Sequence, residues 1–138
     1  MVSRCSIDSR YARFLAPLPA IPPEHLHRIL TPSPCDAAWV GFHHDDPTTV
    51  VALGSWSRAG DDEAELALLV EDAWQRCGIG SGLLALVVDA AWKAGICRLT
   101  ATVLRESLHV LRMLRAIIGP IVTRGDGFVS RVTVDRCV

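Results

Sequence analysis

Gln75-Arg76-Cys77-Gly78-Ile79-Gly80-Ser81-Gly82 is the stretch whose residue types and spacing point most directly to chemistry. Its closely spaced glycines let backbone N–H groups approach a ligand. The loop leads into a helix-forming segment, and a helix N-terminus offers unpaired amide donors and a partial positive charge. Together these features make a cradle for a phosphate or diphosphate. Two common nucleotide-binding patterns are excluded by the residues present. A P-loop needs a lysine beside its last glycine, and the only lysine in the chain is Lys93. A dinucleotide fingerprint needs a glycine where Leu83 stands, and the acidic residue that should follow about 20 positions later is missing.

Other reactive residue types are present without a pattern that uses them. His43-His44-Asp45-Asp46 has metal-ligating side chains, but neighbours in a turn are expected to point apart, so no metal site is predicted. Ser55 and Ser57 lack the Gly-x-Ser-x-Gly elbow of serine hydrolases. Cys5, Cys35, Cys77, Cys97 and Cys137 include no Cys-x-x-Cys pair and are odd in number, which fits neither zinc nor a disulfide framework. Each is expected to be a reduced thiol serving as a small buried apolar side chain. His25 and His27 fit a surface helix, and His109 the polar side of another. Trp39, Trp56, Trp74 and Trp92 read as packing residues, with Trp74 beside the loop and within reach of its ligand.

These residues need elements to hold them. Six prolines between Pro17 and Pro34 break up the first third of the chain, leaving short helices near Ser9–Leu15 and Glu24–Leu30. Ala37–Phe42, Thr49–Trp56 and Glu63–Val70 read as strands of an antiparallel meander, with turns at His43–Thr48 and Arg58–Asp62. Ile79–Ala94 is a helix stopped by Gly95, apolar nearly all round and so expected to be deeply packed. Cys97–Leu104 is a strand. Glu106–Ile118 is an amphipathic helix with Leu108, Leu111, Leu114 and Ile118 on one side. Ile121–Arg124 and Phe128–Val134 form a closing hairpin around Gly125-Asp126-Gly127. The sum is a mixed α/β fold.

The whole-chain numbers set limits. The 138 residues match one domain, so residues 1–138 are read as a single unit. A net charge of −1 argues against a nucleic-acid binder. The longest apolar run, Leu83–Val88, is six residues, against about 20 for a spanning helix, so no membrane association is expected. Met1–Arg10 is too polar for a signal peptide, and a cytoplasmic location is expected. Residues 1–70 hold 5 basic and 9 acidic residues, and residues 71–138 hold 9 and 6. An acidic first half and a basic second half suit a site that joins a cationic substrate to an anionic cofactor.

Gln75-Arg76-Cys77-Gly78-Ile79-Gly80 matches [RQ]-x-x-G-x-[GA] between a strand and a helix, and so resembles the coenzyme A diphosphate loop of the GNAT N-acetyltransferases. Ser9-Arg10-Tyr11-Ala12-Arg13-Phe14 is similar to the S-x-Y-x-R-F stretch of bacterial protein-lysine acetyltransferases, and Ala64–Val70 is similar to their fourth strand. Leu104-Arg105-Glu106-Ser107 resembles the family's strand end and following helix, with Ser107 where asparagine is usual. The family's first strand and most of its first helix have no counterpart before Ser9. The resemblance implies a mixed, mostly antiparallel sheet flanked by helices, and acetyl-CoA as cofactor.

It also implies roles. Only about one lysine ammonium in 10³ is deprotonated at pH 7, so amine acetylation needs a proton acceptor. Glu65 matches the strand carboxylate that serves the family as general base. The backbone of Leu68, Leu69 and Val70 would pair with the pantetheine arm and polarise the thioester carbonyl. Amides of Gln75, Arg76, Cys77, Gly78, Ile79 and Gly80 would hold the diphosphate, with Ser81 and Gly82 close by and Arg76 adding charge. Ser107 would take the shortened asparagine contact, and either water or Ser107 would protonate the departing thiolate, Tyr11 being read as packing. The acceptor is a small-molecule amine or a protein lysine, and a homodimer is admitted. The alternative is a GNAT-fold module that senses acyl-CoA, or mediates assembly, with little or no turnover.

Overall fold

A computed structural model describes residues 1–136; Cys137 lies outside them. The chain opens with a single 3₁₀ turn and two short helices, α1 (Ile7–Phe14) and α2 (Pro23–Leu30). The Ser6 hydroxyl caps α1 by accepting the Ser9 N–H, and Leu15 closes it in the left-handed region at φ 55°. Pro22 and Pro23 start α2, where a missing N–H costs nothing.

Six strands form one sheet: β1 (Asp36–His43), β2 (Asp46–Arg58), β3 (Glu63–Val70), β4 (Arg98–Leu104), β5 (Val122–Asp126) and β6 (Val129–Asp135). Their order is β1-β2-β3-β4-β6-β5, and every neighbouring pair is antiparallel except β3 and β4. The parallel pair is joined by α3 (Ile79–Lys93), and α4 (Leu108–Ile118) follows β4. A mixed, mostly antiparallel sheet flanked by helices is therefore observed, and no strand precedes β1.

Several local expectations change. The turn read as His43–Thr48 contracts to His44-Asp45, and β2 already runs through Pro47. The register slips around Phe42, so Pro47 sits in a bulge where the ladder does not need its N–H. Asp46 fastens that corner by accepting from the Thr48 N–H and from the hydroxyls of Thr48 and Thr49. The last hairpin turns at Gly127-Phe128 rather than around Gly125–Gly127, because Gly127 (φ 60°) supplies the left-handed residue.

The helices are more one-sided than the apolar pattern implied. α3 buries Leu83, Leu84, Val87, Val88 and Ala91 against the sheet but leaves Ala85, Leu86 and Asp89 exposed. Its exposed side carries Gly82, Ala85, Leu86, Asp89 and Lys93, so most of what meets solvent there is small or polar. α4 begins at Leu108, with Ser107 as its cap, so Leu108 lies exposed while Leu111 and Leu114 are buried. The main core joins α3 and α4 to one sheet face through Leu66, Leu84, Val87, Leu99 and Val132. A smaller cluster of Val2, Cys5 and Leu69 packs with Phe14 and Ile21 on the other face, beneath α1. Of the described cysteines only Cys5 is buried; Cys35, Cys77 and Cys97 are exposed thiols rather than core residues.

Candidate active site

β3 and β4 are hydrogen-bonded only over Glu63–Glu65 and Arg98–Thr100. Beyond Glu65 the two strands part, although both continue, β3 to Val70 and β4 to Leu104. A cleft of about 1030 Å³ occupies this opening. It runs from α1 and the start of α2, between the strands, to the N-termini of α3 and α4.

The loop before α3 forms one end of the cleft. Gly78 caps α3 at φ 83° and Arg76 is also left-handed at φ 62°, a conformation that costs a non-glycine residue about 1–2 kcal/mol. The first helical bond is Gly82 N–H to Gly78 C=O. Among the described residues, the amides of Arg76, Cys77, Gly78, Ile79, Gly80 and Ser81 donate to no protein acceptor. Arg76, Cys77 and Gly78 are exposed, and Arg76, Gly78, Gly80 and Ser81 line the cleft. Those donors at the positive end of a 15-residue helix fit a diphosphate.

Gln75 departs from its expected part. Its N–H is already given to Asp72 C=O (3.2 Å), so it is not a free donor. Its side chain instead ties the loop down: Nε2 donates to Val70 C=O (3.0 Å) and to the Ser9 hydroxyl (3.0 Å). Asp72 accepts from the Ser6 N–H (2.7 Å) and the Ser9 hydroxyl (3.1 Å). Burial opposes its charge, but these bonds hold Asp72 below the usual carboxylate range. Ser9 thus links α1 to the glycine loop. Nearby, Arg4 pairs with the buried Glu71 (3.0 Å) and anchors the N-terminal turn. Cys77, Ile79 and Gly82 are not among the residues that line the cleft; Gly82 is exposed within α3 with open space around its Cα.

Along β3, the bond from Glu71 N–H to Val51 C=O sets the phase of the antiparallel ladder. Glu65, Ala67 and Leu69 therefore turn their N–H and C=O toward β2. Leu68 and Val70 turn theirs into the gap, where Val70 C=O is taken by Gln75. Leu69 is thus a correction: its backbone belongs to the β2 ladder, and its side chain is buried in the smaller core. Leu68 N–H and C=O, and Val70 N–H, are left as the edge that an extended ligand can pair with.

Glu65 lies at the last β3–β4 pair, opposite Thr100, where the strands separate. It is exposed and lines the cleft on the α1 side of the sheet. Ser107 lines the opposite wall, and its hydroxyl has no protein hydrogen bond. Tyr11 packs on Phe128 (centroids 6.2 Å apart), as expected, and also lines the cleft.

Arg13, quoted in the resemblance without a role, and His25, expected on a surface helix, also line the cleft. Arg13 Nη2 is 3.1 Å from His25 Nε2. Burial pulls the Arg13 pKa below its usual value, against the opposing charge of Glu65. Burial, then Arg13 and Arg28, pull His25 down, with Asp36 opposing. The one-turn spacing of Ser9 and Arg13 on a helix is the signal that places both on one face. The turn histidines also differ from expectation. His43 and His44 stack at 4.8 Å rather than pointing apart, and Trp74 meets His43 edge-on at 4.8 Å, away from the cleft.

The family model described as acetyltransferase (GNAT) family matches residues 7–119. No curated protein matches the sequence. Among solved structures, the GNAT domain of S. lividans PAT superposes with a TM-score of 0.83 at 25% identity, over 98% of this chain and 81% of that one. PaiA N-acetyltransferase from Thermoplasma acidophilum, solved in complex with coenzyme A, gives 0.61 at 17% identity over 74% and 62%. A cAMP-binding acyltransferase from Mycobacterium smegmatis gives 0.65 at 24% identity, over 94% of this chain and 40% of that one.

Proposed function

The chain belongs to the acetyltransferase (GNAT) family, and from that premise we propose that it moves an acetyl group from acetyl-CoA to a primary amine, a small molecule or a protein lysine, by direct attack with Glu65 as general base. Residues 1–138 are read as one acetyltransferase domain. The observation that carries this reading is the row of uncommitted amides from Arg76 to Ser81, at the mouth of a cleft whose strands part at Glu65. Family members solved with coenzyme A or acetyl-CoA bound support the cofactor assignment.

Acetyl-CoA supplies an acyl group activated as a thioester. The amides of Arg76, Cys77, Gly78, Ile79, Gly80 and Ser81 hold its diphosphate, and the Arg76 side chain adds charge. Leu68 and Val70 pair with the pantetheine arm and orient the thioester carbonyl. Glu65 accepts the proton of the incoming ammonium, directly or through water, so that a neutral amine reaches the carbonyl. Ser107 or water returns a proton to the departing thiolate. Gln75 and Ser9 act one step back by holding the loop.

Glu65→Gln tests the assignment. We expect kcat to fall by about 10²–10⁴ while the affinity for acetyl-CoA, measured by calorimetry, stays the same. A Gln variant with wild-type kcat removes the role of Glu65. A wild type that binds acetyl-CoA but releases no thiol with any amine leaves the acyl-CoA-binding module instead.

A further inference from the structure

Arg13 is an incompletely satisfied cation in the half of the cleft away from the diphosphate loop. Arginine only donates, so its contact with His25 requires Nε2 of a neutral imidazole as acceptor, with the ring proton on Nδ1. Arg13 Nε is sealed from solvent and has no partner. Nη1 makes no hydrogen bond among the described residues, and the guanidinium carbon lies 4.8 Å over the Phe14 ring. The charge of Glu65 favours the protonated Arg13, but among the described residues no hydrogen bond joins the two. An arginine serving only to hold the fold would spend its donors on carbonyls or a carboxylate, because a half-buried unpaired cation is costly. Here one neutral nitrogen is its only hydrogen-bond partner among the described residues.

From this we propose that Arg13, oriented by His25, is a carboxylate-binding subsite, and that the acceptor carries a carboxylate close to its reacting amine. The proposal rests on the acetyl-transfer reading and names the acceptor class for it. Such a molecule gives each of the two charges its own partner. Its ammonium neutralises Glu65, and its carboxylate neutralises Arg13 through the planar edge that a guanidinium offers. A plain alkylamine would satisfy Glu65 and leave Arg13 unpaired. A free amino acid and a lysine beside an acidic residue present the same chemistry.

The test compares acceptors that differ only in the carboxylate. Glycine, β-alanine and 4-aminobutyrate are set against methylamine, ethylamine and propylamine, and lysine peptides flanked by glutamate against the same peptides flanked by glutamine. We expect kcat/KM to be about 10–100-fold higher for the carboxylated member of at least one pair. Arg13→Gln should remove that preference. The small-molecule and peptide arms separate the two sources. An NMR titration of wild-type protein, saturated with coenzyme A, gives a readout that needs no turnover. β-Alanine should shift the His25 ring resonances and ethylamine should not. Equal kcat/KM within every pair overturns the subsite and leaves amine acetylation standing. Absence of turnover with every acceptor overturns the activity, and the His25 titration still decides the subsite, an unmoved resonance sinking it.

Discussion

His25 folds as a neutral ring, and that has a consequence for stability. Burial comes first among the causes that depress its pKa, followed by the cations Arg13 on α1 and Arg28 on its own helix; Asp36 at the start of β1 pulls the other way. A base whose folded pKa lies below its unfolded value contributes fully above the unfolded value, about 6.5. Below it, the unfolded chain binds the proton first, and stability falls as pH drops toward the folded pKa. Urea midpoints measured between pH 7.5 and 5 should therefore decline more steeply for wild type than for His25→Gln; parallel slopes would show that His25 carries no such linkage. Sequence alone left His25 on a surface helix. A short helical signal over Glu24–Leu30 cannot report that Arg13 of α1, twelve positions earlier, brings its guanidinium to the ring. That Glu65 lies on a strand was legible, because the local pattern marks Glu63–Val70 as one. The Asp46 shift, by contrast, is local: its carboxyl is held down to about 2 by Thr48 and Thr49 at an exposed corner.

At the scale of elements, the seat of α3 on the sheet depends on one glycine. A Cβ at Gly54 of β2 would lie 2.7 Å from Leu83 Cγ and 3.1 Å from Val87 Cγ2. Neither atom is the free end of a flexible chain, so Gly54→Ala must push α3 off the sheet. We expect a loss of about 1–3 kcal/mol in denaturant unfolding, with a weaker affinity for acetyl-CoA, since the N-terminus of that helix carries the amides proposed to hold the diphosphate. An unchanged midpoint would mean that α3 has slack against β2. The elements themselves were largely readable: β3 runs over Glu63–Val70 as expected, and proline placement marks α2. What failed was facing. Apolar residues around α3 could not show which side meets the sheet, because an alanine looks the same to hydropathy whether buried or exposed. Leu108 likewise matched the spacing of α4 but stands at its first turn, beyond the reach of the core.

At the scale of the whole molecule, the cleft exists because two neighbouring strands pair for three residues and then diverge. The gap is held open by different groups on each side: Gln75 and Ser9 on the β3 side, and the Arg105 contact with Gly127 C=O (2.9 Å) beyond β4. A ligand that bridges loop and gap should stabilise the fold as one unit. Coenzyme A at 100 times its dissociation constant should add about 2.7 kcal/mol, on the order of 5–10 °C in melting temperature. Pantetheine, which lacks the diphosphate, should give a far smaller shift at equal concentration. Equal shifts for the two would take the main anchor away from the Arg76–Ser81 amides.

Composition, the strand and helix periods, and the glycine spacing at 78 and 80 determined the fold class, the element order and the place of the glycine loop before α3, because each is written in neighbouring residues. Only the tertiary structure decided that the Leu69 backbone is spent on β2, that Gln75 braces the loop instead of binding through its amide, and that Arg13, His25 and Glu65 share one cleft. Those outcomes follow from ladder phase and from contacts between segments far apart in the chain, and nearest-neighbour patterns hold no information about either.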